Sequence, residues 1–134
     1  MLLGASNGVE RVHFHHGVGF RYNAIQPTSQ SDDGLNITRP HVLPLYYAML
    51  IVNEAVGSSG EPYIAEIPTT NITLTAYGIW EQKQLRRVVV TNNQIFNGTG
   101  GKPSININLT GPLAGKPAKV KRLLSDKTSA STGL

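Results

Sequence analysis

The chain has 134 residues, a formal charge of +4, 40% hydrophobic residues and no cysteine. A compact chain of that length buries roughly two-thirds of its unfolded surface, enough for one modest core, and the lack of cysteine excludes disulfide and thiolate chemistry. Lys116, Lys119, Lys121, Arg122 and Lys127 crowd the end of the chain; a solvated strand face and a polar tail account for them, and with no basic stripe interleaved with aromatics no nucleic-acid partner is expected.

Met1, Leu2, Leu3, Gly4 and Ala5 read as the last turn of a helix, released by Asn7-Gly8 into an extended segment. Over residues 9 to 15, Val12 and Phe14 alternate with Arg11, His13 and His15, which predicts a strand that Gly17 and Gly19 break. Residues 20 to 40 turn to Pro, Ser, Asp, Asn and Gln, the composition of a long surface loop. Pro44 then opens a helix over 44 to 56, where Leu45, Met49, Val52 and Val56 recur at helical spacing and Gly57 provides the stop. Tyr46, Tyr47, Leu50 and Ile51 make this helix apolar almost all round, so burial on more than one side is expected.

Downstream the period changes to two, with predicted strands at 62 to 67, 71 to 80, 84 to 91, 103 to 110 and 117 to 124. Residues 81 to 84 link the second and third as a hairpin, and Ile105, Ile107 and Leu109 alternate with polar neighbours. Short strands with Gly and Pro turns indicate an antiparallel sandwich or barrel, and so few strands imply that others complete it. No apolar run is long enough to span a membrane, and residues 125 to 134 are too polar to order themselves.

Asn-x-Ser/Thr sequons stand at Asn36, Asn71, Asn97 and Asn108, against about 1.5 expected by chance, which leans towards a secreted, extracellular protein. The first residues lack the basic start and apolar run of a signal peptide, so Met1 is not expected to be the natural start.

Three stretches carry a family resemblance: residues 8 to 27 (GVERVHFHHGVGFRYNAIQP), residues 44 to 50 (PLYYAML) and residues 76 to 80 (AYGIW). In this order they resemble the end of fungal glycoside hydrolase family 79 enzymes, β-glucuronidases related to heparanase. The resemblance covers nearly the whole chain. It implies a (β/α)8 barrel with an appended β-sandwich that is completed by strands from the enzyme's amino terminus. Residues 1 to 5 then correspond to the end of the seventh barrel helix, 9 to 15 to the eighth strand and the helix from 44 to the eighth helix. The implied fold class is mainly β with one long helix, and the implied domains are 1 to 57, the end of the barrel, and 58 to 134, the C-terminal β-sandwich.

Retaining glycoside hydrolysis needs two carboxylates about 5 to 5.5 Å apart. The resemblance places them on the fourth and seventh barrel strands, which this chain does not include. Its own acids support that absence: Glu10 begins a strand, Glu54 lies late on a helix, and Asp32-Asp33 fit a solvated turn. The chain is therefore expected to have no catalytic residue, to be inactive alone and to support the barrel. Its expected partners are the missing barrel portion or a second copy, and a glucuronide-bearing glycan in the intact enzyme. No cofactor is expected.

His13, His15 and His16 invite a metal reading, but no third ligand is evident on the face of His13 and His15, and no metal site is expected. In the family the loop after the eighth strand supplies groups around the sugar carboxylate. His15 with Tyr22 is similar to that arrangement, and both can donate hydrogen bonds to a uronate; Arg21 is a minor candidate. Trp80 could stack on a sugar, although no second aromatic stands at matching spacing, and core or edge packing competes with that role. The alternatives are a stand-alone carbohydrate-binding or structural β-sandwich module that relies on Trp80 or Tyr77, and a two-chain hydrolase matured by cleavage.

Overall fold

The computed structural model describes residues 1–17, 23–27, 40–108, 110–111 and 114–126. The chain opens with a short helix, α1 (Leu2–Ser6), closed where the Asn7 side chain donates 2.8 Å to the Leu3 carbonyl and Gly8 takes φ 81°. The Asn-Gly pair thus ends the helix as its chemistry dictates. Two minimal strands, β1 (Ile25–Gln26) and β2 (His41–Val42), pair antiparallel, and the Leu43 N–H donates 2.9 Å to the Ala24 carbonyl. β1 lies inside the stretch 20 to 40 read from the sequence as loop, and β2 directly follows that stretch. Helix α2 (Pro44–Val56) follows, with Pro44 in its first turn and Gly57 at its end.

The main sheet is an antiparallel meander of β3 (Tyr63–Ile67), β4 (Leu74–Glu81) and β5 (Gln84–Asn92). The β4–β5 link is tighter than the sequence suggests: Glu81 pairs with Gln84, leaving Gln82 and Lys83 as a two-residue turn with φ of 50° and 62°. Positive φ at both positions is the signature of a type I′ turn, whose twist matches the flanking strands. β4 also begins later than predicted. Asn71 Oδ1 accepts from the Thr73 N–H at 2.9 Å and from its hydroxyl at 2.8 Å, an Asx turn that replaces the start of the strand and leaves Ile72 99% exposed.

Pairing sorts the sheet into two faces. On one, Ile64, Tyr77, Ile79 and Val89 meet Leu2 of α1 and Val52, Ala55 and Val56 of α2 to form the core. The other presents Ala65, Ile67, Ala76, Gly78, Trp80, Val88 and Val90, an apolar surface on which Ala76 and Gly78 are buried. A bulge opposite Ile79 and Trp80 leaves Arg86 unmatched and turns Arg87 to the helix face. There Arg87 donates 2.7 Å to Glu81 and 3.4 Å to the Ala55 carbonyl at the end of α2.

Several sequence expectations differ from what is observed. Residues 9 to 15 form no strand, nor do the described residues of 103 to 110 and 117 to 124. Alternation marks a segment able to pair; a ladder also needs a partner whose backbone groups face it. Ile107, Val120, Leu123 and Leu124 are accordingly exposed. Only one side of α2 is buried, through Val52, Ala55 and Val56, while Met49, Leu50 and Ile51 are exposed. The described residues are mainly β, in two antiparallel sheets, and the mainly β, antiparallel character is what the sequence suggests. None of the described helices is long and apolar enough to cross a membrane.

Candidate functional site

A buried polar arrangement lies where His16 and Gly17 meet residues 23 to 27. Asn23 is 2% exposed and Gln26 1% exposed. Asn23 Oδ1 accepts from the Gly17 N–H at 2.9 Å, while its amide nitrogen donates to the Gly17 carbonyl and lies 3.4 Å from Gln26 Oε1. One side chain therefore satisfies both backbone groups of Gly17, pinning the two ends of the intervening segment together. Burying an amide is costly unless its groups are bonded, and this one is bonded through both its oxygen and its nitrogen. His16, Gly17, Asn23, Ile25 and Pro27 line an open hollow of about 250 Å³ beside this clasp.

His15, read from the sequence as a carboxylate contact, is exposed on the extended segment, as are His13 and His16; His16 is the imidazole that lines the hollow. Tyr22 and Arg21 lie outside the described residues, as does Asn36. Among the described residues no group of three or more His, Cys, Asp or Glu is placed to hold a metal ion. Chemically, the hollow offers an imidazole able to donate to an anion, against a backbone held by a buried amide. Sequence reasoning passed over Asn23 and Gln26, since nothing in a polar loop distinguishes a buried amide from a solvated one.

The remaining sites divide by exposure. Asn71 is half-buried with its side-chain oxygen engaged by Thr73, whereas Asn97 and Asn108 are exposed. Tyr77 belongs to the core, and burial first, then the charge of Glu66, raises its pKa; its ring has no surface for a sugar. Trp80 is half-buried and does have a second aromatic beside it. Tyr63, its cross-strand partner, is 67% exposed, with ring centroids 5.6 Å apart and a 55° tilt. Residues 63 and 80 are far apart in sequence, so only strand register brings them together.

Comparison with known proteins gives a consistent picture. Residues 76–134 match the model of the glycosyl hydrolase family 79 C-terminal beta domain. A β-glucuronidase of Neurospora crassa is 25% identical over 99% of this chain and 29% of its own length. A β-glucuronidase of Aspergillus niger is 26% identical over 97% of this chain and 26% of its own length. The chain thus spans little more than a quarter of either relative, and no solved structure matches it. These comparisons bear out the resemblance read from the sequence: residues 76–134 match the glycosyl hydrolase family 79 C-terminal beta domain, in a chain similar over nearly its whole length to fungal β-glucuronidases.

Proposed function

We propose that this chain serves as the C-terminal part of a secreted, retaining β-glucuronidase-type glycoside hydrolase. Residues 1–57 contribute the segment that becomes the last strand once its barrel neighbours pair with it, with the following loop and helix of a (β/α)8 barrel, and residues 58–134 form a β-sandwich that steadies it. The observation that carries this reading is the two-sided main sheet. One face is committed to α1 and α2, while the other is apolar and suited to a second sheet. The alternating segment around Ile107, and the segment that exposes Val120, Leu123 and Leu124, can supply strands of that second sheet. Exposed Val9, Val12, Met49, Leu50 and Ile51 support contact with further barrel elements or with another copy of the chain.

On this reading the two carboxylates of the retaining mechanism come from outside the chain, and His15 and Tyr22 hydrogen-bond the uronate carboxylate of a glucuronide-bearing glycan. Asn36, Asn71, Asn97 and Asn108 carry N-linked sugars. The test is hydrolysis of 4-nitrophenyl β-D-glucuronide. The 134-residue chain alone is expected to be inactive and the natural protein active, and turnover by the isolated chain overturns the reading. In the active protein, Tyr22→Phe is expected to raise KM for the glucuronide more than for the matching glucoside; equal effects rule out carboxylate recognition. Loss of mass after enzymatic removal of N-glycans tests the sequons.

A further inference from the structure

Charge is distributed unevenly along the chain. Between Gln82 and Ser125 there are eight basic residues and no acidic one. Among the described residues, Arg87 pairs with Glu81 and Lys121 with Glu54, acids from earlier in the chain. Lys102 instead stands at an open cleft of about 480 Å³ beyond the end of β5, lined by Asn92, Asn93, Gln94, Phe96 and residues 123 to 125. Its ammonium donates to the Ser125 carbonyl and lies 5.9 Å from the centre of the Phe96 ring. That volume falls within the roughly 300–1,000 Å³ of small-ligand clefts.

The lining has a specific chemistry. The Gln94 N–H donates 3.1 Å to Asn92 Oδ1, the Asn92 amide lies 3.4 Å from Gln94 Oε1, and the Asn93 amide donates 3.1 Å to the Thr75 hydroxyl. These bonds orient three carboxamides, and each has more donors and acceptors than they use. Three amides, one aromatic ring and one ammonium match a hydroxylated ring that carries an anionic group. We propose that this cleft binds an acidic pyranose unit of a glycan, with its carboxylate or sulfate on Lys102, its apolar ring face on Phe96 and its hydroxyls on Asn92, Asn93 and Gln94. This would hold an acidic polysaccharide on the β domain by a contact that needs no catalytic group. A nucleic acid is the weaker fit, because among the described residues the cleft offers one aromatic where stacked bases use several and no second cation lines it.

The inference rests on the acidic-glycan reading above, but its test does not involve hydrolysis. The whole chain is titrated, with amide resonances followed by NMR, against a glucuronate-containing hyaluronan tetrasaccharide, neutral chitotetraose and an oligothymidylate of matched charge. The acidic tetrasaccharide is expected to shift Asn92, Asn93, Gln94 and Lys102 and to bind at least tenfold more tightly than chitotetraose. Lys102→Gln is expected to weaken it about tenfold, as loss of a charge-assisted hydrogen bond does. Phe96→Ala is expected to weaken it about fivefold, Lys102→Arg to stay within about threefold, and Lys83→Gln at the remote hairpin turn to change it less than about twofold. Absence of binding, equal binding of chitotetraose, tighter binding of oligothymidylate, or equal losses from Lys83→Gln and Lys102→Gln would each overturn the proposal. Because the functional reading stands on turnover by the natural protein, failure here removes the cleft and leaves that reading in place.

Discussion

Replacing Gly78 by alanine tests how the apolar face of the main sheet is packed. A Cβ at this position would lie 2.2, 2.5 and 3.0 Å from three carbons of the Trp80 ring, so the indole rests in the space a side chain would occupy. Alanine in a strand interior ordinarily gains about 0.5–1 kcal/mol over glycine. Here the added methyl must displace the ring, an overpacking cost of about 1–3 kcal/mol, and moving the ring gives up its contact with Tyr63, about 0.5–1.5 kcal/mol. The balance is a net loss of about 2 kcal/mol, within a span of about 0.5–4, or roughly 7 °C in Tm for a chain of this size. Trp80 is the only tryptophan, so its emission reports the site directly and is expected to shift to the red as the ring moves into water. A Gly78→Ala protein with raised Tm and unchanged emission would refute the packing argument.

Three other perturbations address separate parts of the structure. Gln82→Asn with Lys83→Gly puts residues that favour positive φ into the β4–β5 turn and is expected to stabilise the chain by about 0.5–1.5 kcal/mol, read as a rise in the denaturant midpoint. The Glu81 carboxyl is held below its ordinary value, chiefly by the hydrogen bond from Arg87, with burial opposing. A carboxylate whose pKa is lowered on folding contributes stability above its unfolded value of about 4.3 and loses it as pH falls through the lower folded value. Melting temperature should therefore fall across that acid range in the wild type and fall less steeply in Arg87→Ala; parallel pH profiles would show that the pair is not coupled to folding. Asn23→Ala leaves both backbone groups of Gly17 without their partner, a cost of about 1–3 kcal/mol, and is expected to speed hydrogen exchange at the Gly17 amide selectively.

The parts of the fold that rest on local chemistry were legible in the sequence. Asn7-Gly8 ended α1, Pro44 and Gly57 bounded α2, and β3 and β5 fell within a residue of their predicted limits. What depends on register or on a partner was not. The two-residue turn, the bulge that sends Arg87 to α2 and the meeting of Tyr63 with Trp80 follow from how strands align, which alternation alone leaves open. The segments at 9 to 15, 103 to 110 and 117 to 124 show the reverse case, since their pattern is that of strands and their described residues have no ladder. At the candidate site His15 was legible as a polar residue on an alternating segment. The clasp of Asn23 on Gly17 and the cleft around Lys102 were not, because both come from tertiary placement of amides that look like loop residues in sequence.

The central claim is that this chain works as the C-terminal part of a larger glycoside hydrolase, and the native mass of the protein isolated from its natural source tests it most directly. The account expects a species far heavier than 14.5 kDa that hydrolyses glucuronides and that is, after denaturation, either one longer polypeptide or this chain with a larger partner. A native species of 14.5 kDa, with at most glycan increments, would contradict it.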